Sequence, residues 1–148
     1  MTEASNILIV EARYYEDIAD ELARGAIAEL EAAGASYERA ALPGTFEIVA
    51  AIRFAIDSGK YDGYIALGCV IRGETTHYDY ICTESARGLT DLVIQQGIAL
   101  GYGILTTEDR EQAWRRAAVA ELNKGADAAK ACLTMVALKR RFRSSGPS

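Results

Sequence analysis

The chain has a single histidine, His77, in the run GCVIRGETTHYDY that spans Gly68–Tyr80. Histidine ordinarily titrates near neutral pH, so it can both give and take a proton. Thr75 and Thr76 precede it, and the amides that open a following helix suit an anion. The run lacks the GxxxxGK[ST] pattern of a Walker loop. A plain reading is also open, in which Thr76 caps a helix and His77 is a surface residue. Upstream, PGTFE (Pro43–Glu47) forms a turn and then offers Glu47, whose carboxylate can accept hydrogen bonds from a polyol. Its bland alternative is a favourable interaction with the helix dipole.

Other residues extend the candidate chemistry. Tyr14, in Arg13-Tyr14-Tyr15, can stack on a planar ring, or simply pack at a rim. Tyr102 has the same two readings. Arg115-Arg116 and Asn123-Lys124-Gly125 place positive charge near the C-terminus, and arginine suits bidentate phosphate binding. A solvated helix face is the competing account. Cys69 lies in or beside a buried strand with nothing local to activate its thiol. No Ser-His-Asp or Cys-His arrangement is visible, and Gly101-Tyr102-Gly103 is too short for a dinucleotide fingerprint.

The elements that must carry these residues follow from periodicity. Asn6–Val10 predicts a buried strand. Glu16–Ala33 predicts a helix, with Ile18, Leu22, Ala26 and Leu30 four apart and Gly34 as its stop. A strand at Tyr37–Leu42 and a helix at Phe46–Ser58 follow. The third strand is Tyr64–Ile71, and a polar loop at Arg72–Asp79 leads to a helix at Tyr80–Gln96. Ile98–Leu105 predicts the fourth strand, where Gly101 and Gly103 suggest close backbone approach. Helices at Asp109–Glu121 and Asp127–Phe142 complete the chain, and Arg143–Ser148 reads as a frayed tail. Strands alternating with helices imply a parallel sheet covered on both faces, with right-handed crossovers. Ligands of such sheets sit beyond the carboxyl ends of the strands. Those ends are Glu11–Tyr15, Leu42–Glu47, Cys69–His77 and Tyr102–Thr107, which hold most of the unusual polar residues.

Composition sets the outer bounds. The 148 residues suit one domain, 1–148, with its core from about residue 6 to residue 142. A net charge of −5 argues against a nucleic-acid partner. No apolar run reaches the roughly 20 residues that span a bilayer, so no membrane partner is expected. The polar segment Met1–Asn6 lacks a signal-peptide pattern, which predicts a cytoplasmic protein. Three widely spaced cysteines and one histidine make neither a disulfide framework nor a structural zinc site. Four strands form a small sheet for so many helices, so self-association is expected to bury exposed apolar edges.

Taken together, several segments resemble the lumazine synthase family. They are PGTFE (Pro43–Glu47), LGCVIRGETTHYDY (Leu67–Tyr80), GILTTE (Gly103–Glu108), EQA (Glu111–Ala113) and NKG (Asn123–Gly125). The resemblance runs in order from about Asn6 to Phe142. It implies a flavodoxin-like three-layer α/β sandwich, with a four-stranded parallel sheet between helices, assembling into pentamers. The implied transferase reaction joins 5-amino-6-(D-ribitylamino)uracil to 3,4-dihydroxy-2-butanone 4-phosphate. It yields 6,7-dimethyl-8-ribityllumazine and phosphate, the penultimate step of riboflavin biosynthesis. No metal or organic cofactor is implied, and riboflavin synthase is an implied partner.

The resemblance also assigns roles. His77 matches the proton-transfer histidine and Tyr14 the ring-stacking aromatic residue. Thr45, Phe46 and Glu47 match the loop that meets the ribityl chain and ring. Cys69, Val70 and Ile71 match a segment that binds the pyrimidine largely through backbone. Glu74, Thr75 and Thr76 match the phosphate loop, Arg116 the phosphate arginine and Lys124 a nearby basic residue. Tyr102 matches an aromatic residue contributed across a subunit boundary.

Some positions depart from the family pattern. Tyr14-Tyr15 replaces a more usual Phe-Asn pair, which leaves the bulk of Tyr15 unexplained. Tyr102 stands where phenylalanine is common, and Arg115 where an acid is frequent. Ala117–Leu122 lacks the glycines of many shell-forming members, which with a short N-terminus favours a free pentamer over a 60-subunit shell. Two readings stand beside the enzyme: a non-enzymatic flavin- or lumazine-binding protein, and a structural cage with weak activity. Retention of both His77 and Arg116 argues against a pure binder.

Overall fold

In the computed structural model, which describes residues 4–145, four parallel strands lie in the order β2-β1-β3-β4. They are β1 (Asn6–Ala12), β2 (Ser36–Leu42), β3 (Gly63–Ile71) and β4 (Leu100–Thr107). Helix α1 (Glu16–Ala32) follows β1, a short 3₁₀ turn (Thr45–Glu47) leads into α2 (Ile48–Ser58), and α3 (His77–Gln96) follows β3. Helices α4 (Arg110–Ala117) and α5 (Lys124–Ser145) close the chain. The four-stranded parallel sheet flanked by helices is the predicted architecture. Among the described residues, no helix is long and apolar enough to cross a membrane.

The pleat explains the layering. Alternate residues of a strand face opposite sides of the sheet. Ile7 and Ile9 of β1 face one side with Ile65 and Leu67 of β3, where they meet Ile18, Leu22, Ala26 and Leu30 of α1. Small residues of α4 and α5 (Ala113, Ala117, Ala128, Ala129, Cys132) share that layer. Leu8, Val10 and Ala66 face the other side, against Ile48 and Ile52 of α2 and Leu89 and Leu92 of α3. The predicted four-residue stripe of α1 is thus the buried stripe.

Several boundaries differ from the sequence expectation, each for a local reason. Strand β1 runs two residues past Val10 because Glu11, though charged, is buried and compensated. Its carboxylate accepts from Arg13 Nη1 at 2.9 Å and from Arg39 Nε at 2.6 Å. Helix α3 begins at His77, so the segment Arg72–Asp79 is not all loop. The Thr75 hydroxyl accepts the His77 N–H at 3.3 Å, and Asp79 lies in the first turn, where a carboxylate complements the helix dipole. Helix α4 stops at Ala117 rather than Glu121, because Ala118 turns to ψ 128° and a short turn leads to Asn123 at φ 50°. Helix α5 then starts at Lys124, not Asp127, and stays helical to Ser145, whereas a frayed end was expected from Arg143. The last three residues of that expected tail lie outside the described residues.

The glycine signal in β4 is borne out. A Cβ on Gly101 would overlap the Ala128 carbonyl oxygen of α5, and Gly103 faces Leu67 and Ala128 side chains. Backbone on backbone cannot yield as a flexible side chain can. Gly101→Ala is therefore expected to destabilise the fold by about 3 kcal/mol. A lower urea midpoint at unchanged m-value would register it, and a wild-type midpoint would contradict the tight contact.

Candidate active site

Three crossings from strand to helix converge on one cleft of about 650 Å³. Tyr14 and Tyr15 reach it from the end of β1, Gly44, Thr45, Phe46 and Glu47 from the turn after β2, and Cys69, Val70 and Ile71 from the end of β3. His77, Tyr80 and Ile81 close it from the first turns of α3. The cleft spans the carboxyl ends of β1 and β3. There the connections diverge, β1 leading outward to β2 and β3 outward to β4. The topology leaves a crevice at that point.

The side chains around the cleft range from buried to exposed. Thr45 is buried, while Phe46, Glu47 and His77 are exposed. Tyr14 is 75% exposed. Burial pushes the Cys69 thiol up to about 12, only partly offset by Arg110 nearby. That thiol stays protonated near neutrality and offers no nucleophile, as its surroundings in the sequence suggested.

The loop before His77 is held from three directions. The Arg72 side chain meets Glu108 beyond β4, Nε to Oε2 at 3.0 Å, and Asp79 of α3 at 3.5 Å. Its guanidinium also lies 4.4 Å from the centre of the Tyr78 ring. The Arg72 amide donates to the Thr107 carbonyl at 2.9 Å. Contact with Glu108 holds the guanidinium above its ordinary pKa. Glu74, Thr75 and Thr76 are exposed and lie outside the residues that line the cleft.

The remaining predicted residues are elsewhere. Tyr102, Arg116 and Lys124 line a second groove of about 460 Å³ along edge strand β4, α4 and one face of α5. Tyr102 is the third residue of β4, so it is not near the strand's carboxyl end as expected. Arg116 Nη1 donates to the Gln112 carbonyl at 3.1 Å, and Lys124 Nζ sits 3.3 Å from Asp127 Oδ2. Among the described residues, no arginine or lysine lines the first cleft. Within one chain, the histidine and the two basic residues therefore occupy separate depressions.

The sequence itself has close relatives. A profile described as 6,7-dimethyl-8-ribityllumazine synthase matches residues 4–140. The chain belongs to that family. A protein of Bartonella tribocorum with this name is 52% identical over 143 residues, 96% of this chain and 95% of its own length. One of Nitrobacter hamburgensis is 55% identical over 140 residues, 91% of this chain and 86% of its own. A Rhizobium meliloti protein named 6,7-dimethyl-8-ribityllumazine synthase 1 is 53% identical over 93% of each chain.

Sequence reasoning missed some lining residues. Ile81 sits one helical turn after His77 and shares its face, which a helix start at residue 77 would have revealed. Asp127 carries the i,i+3 spacing of an ion pair with Lys124, a signal present in the sequence. Tyr15, Gly44 and Tyr80 lie inside segments that the sequence singled out, but without a role of their own. For Cys69, iodoacetamide at pH 8 is expected to leave the thiol unmodified in the folded protein and to alkylate it in urea. Mass spectrometry of the Cys69 peptide reads this, and fast labelling of the native protein would contradict the raised pKa.

Proposed function

We propose that the His77 cleft of one subunit closes against the Arg116–Lys124 groove of the next, so that a homopentamer holds one active site at each subunit boundary. The observation that carries this reading is the division of the candidate residues between two open depressions of one chain. A phosphorylated substrate calls for a cation, and the cations stand apart from the histidine. The edge position of β4 favours contact with a second copy. A pentamer rather than a shell is favoured by the lack of glycine in residues 117–122.

The family's reaction condenses 5-amino-6-(D-ribitylamino)uracil with 3,4-dihydroxy-2-butanone 4-phosphate and gives 6,7-dimethyl-8-ribityllumazine and phosphate. It is the penultimate step of riboflavin biosynthesis, and the chain is a transferase of that kind, acting on this reading in the cytoplasm. Tyr14 stacks on the pyrimidine, Glu47 accepts from ribityl hydroxyls, and the backbone of Cys69–Ile71 meets the polar edge of the ring. Thr45 and Phe46 complete that wall, and Tyr102 of the neighbour covers the ring from the other side. Arg116 pairs with the phosphate, Lys124 lies close by, and Glu74, Thr75 and Thr76 hold the anion from the loop before α3.

The chemistry needs no enzyme nucleophile. The substrate amine condenses with the ketone to an imine and expels water, phosphate leaves to give an enol that returns to a ketone, and ring closure by the second nitrogen expels a second water. Each step moves a proton, which an exposed imidazole at His77 can carry. Holding two substrates in register supplies much of the acceleration. This reading also suits the high pKa of Cys69, since no thiolate takes part.

Lumazine absorbance after mixing both substrates tests the activity, and a pure binder would form no product. His77→Ala is expected to lower kcat by about tenfold with residual turnover, because positioning persists. Unchanged kcat would remove His77 from the mechanism. Arg116→Ala should raise KM for the phosphate substrate by about tenfold or more. Co-assembling the two variants tests the shared site, since each supplies the half that the other lacks. Hybrid pentamers should exceed the mean activity of the two parents, and no such gain would place both residues within one chain's site.

A further inference from the structure

We propose that Tyr15 is a positioning residue that holds the ring of Tyr14 ready for stacking, and that Arg110 holds Tyr15 in turn. The inference rests on the reading of Tyr14 as the pyrimidine-stacking residue. Tyr14 is 75% exposed on a short connection, yet its ring meets Tyr15 edge-on, with centroids 4.9 Å apart and planes at 82°. This is the preferred geometry of an aromatic pair, in which a positive ring edge meets a negative face. Tyr15 is half-buried and packs against the core layer of α1, α4 and α5. The Arg110 guanidinium lies 5.9 Å from its ring centre and is itself ion-paired with Asp17 in the first turn of α1.

The backbone on either side is already fixed. The Arg13 amide donates to the Leu42 carbonyl at 3.0 Å, and the Ala19 amide donates to the Tyr15 carbonyl at 2.8 Å. The Arg13 side chain is tied to Glu11 and Asp20. What remains free at Tyr14 is rotation of its side chain, and the Tyr15 ring restricts that freedom. A stacking ring held in place before binding loses less entropy when the ligand arrives. Tyr15 therefore favours capture of the heteroaromatic substrate and leaves proton transfer untouched. This gives its bulk a purpose, since an asparagine at position 15 offers no ring to Tyr14.

The test compares Tyr15→Leu, Tyr15→Phe and Arg110→Gln. It measures Kd for 5-amino-6-(D-ribitylamino)uracil by calorimetry, KM for the phosphate substrate, kcat and the thermal midpoint. Tyr15→Leu is expected to weaken uracil binding by about threefold to tenfold, the range for loss of an edge-to-face pair. The phosphate KM and kcat at saturation should hold, which a general structural defect would not allow. Tyr15→Phe keeps the ring and should restore most of the affinity. Arg110→Gln should weaken binding in the same direction by less, and it decides the matter if Tyr15→Leu fails to fold. Wild-type Kd in Tyr15→Leu, or in Arg110→Gln when that variant decides, would overturn the proposal, as would equal losses in the Phe and Leu variants. Calorimetry needs no turnover, so wild-type protein that binds the uracil without forming lumazine would sink the enzymatic reading alone.

Discussion

Helix α5 lies against the sheet and α1 with backbone touching backbone, and much else depends on that contact. No Cβ fits at Gly101, where the Ala128 carbonyl stands, or at Gly125, where the Leu22 carbonyl stands. Small side chains elsewhere in the interface keep the approach close, with Cys132 and Ala129 fully buried. Side chains of ordinary size would push α5 outward and enlarge the groove between it and β4. Because α5 starts at Lys124, its seating also sets where that lysine and Arg116 stand relative to the edge strand. The C-terminal third of the chain thus owes its geometry to the absence of side chains at a few positions.

The cleft has a different origin. It lies at the carboxyl ends of β1 and β3, where adjacent connections leave the sheet in opposite directions. Its flexible members are tied down by charge. Glu11 is buried at the end of β1 and accepts hydrogen bonds from Arg13 and Arg39, which anchors the segment leading to Tyr14. Arg72 does the same before His77 by reaching to Glu108 and Asp79. Exposed ion pairs contribute little to stability in isolation, but several converging on one loop restrict its conformations. At these two loops the salt bridges act chiefly on the position of functional side chains.

The two depressions differ in chemistry as well as place. One is lined by aromatic and apolar groups with a histidine and a carboxylate, while the other adds an arginine, a lysine and an aspartate to Tyr102 and apolar residues of β4 and α5. The histidine and the cations line different depressions. Their separation within one chain makes assembly a condition of activity on the proposed reading. It also makes the neighbour's contribution testable without knowing the assembly in detail.

Much of this was legible in the linear chain. The apolar stripe of α1, the alternation of strand and helix, the tight approach at Gly101 and the segments PGTFE and GCVIRGETTHYDY all follow from local residue types. So did Cys69 as an inert thiol, because a cysteine in an apolar run without a basic neighbour stays protonated. Other features depended on residues far apart in sequence. Strand β1 passes through Glu11 because Arg39, on the adjacent strand, joins Arg13 in neutralising it. The start of α3 at His77 reflects backbone groups satisfied by Thr75 and Thr76, which read as loop when judged by polarity. The split of His77 from Arg116, and the meeting of Tyr14, Tyr15 and Arg110, come from how strands and helices are stacked. Local pattern determines which elements form and which residues they carry. Which side chains meet depends on packing in three dimensions, because burial, charge compensation and ring contact join positions that no sequence spacing connects.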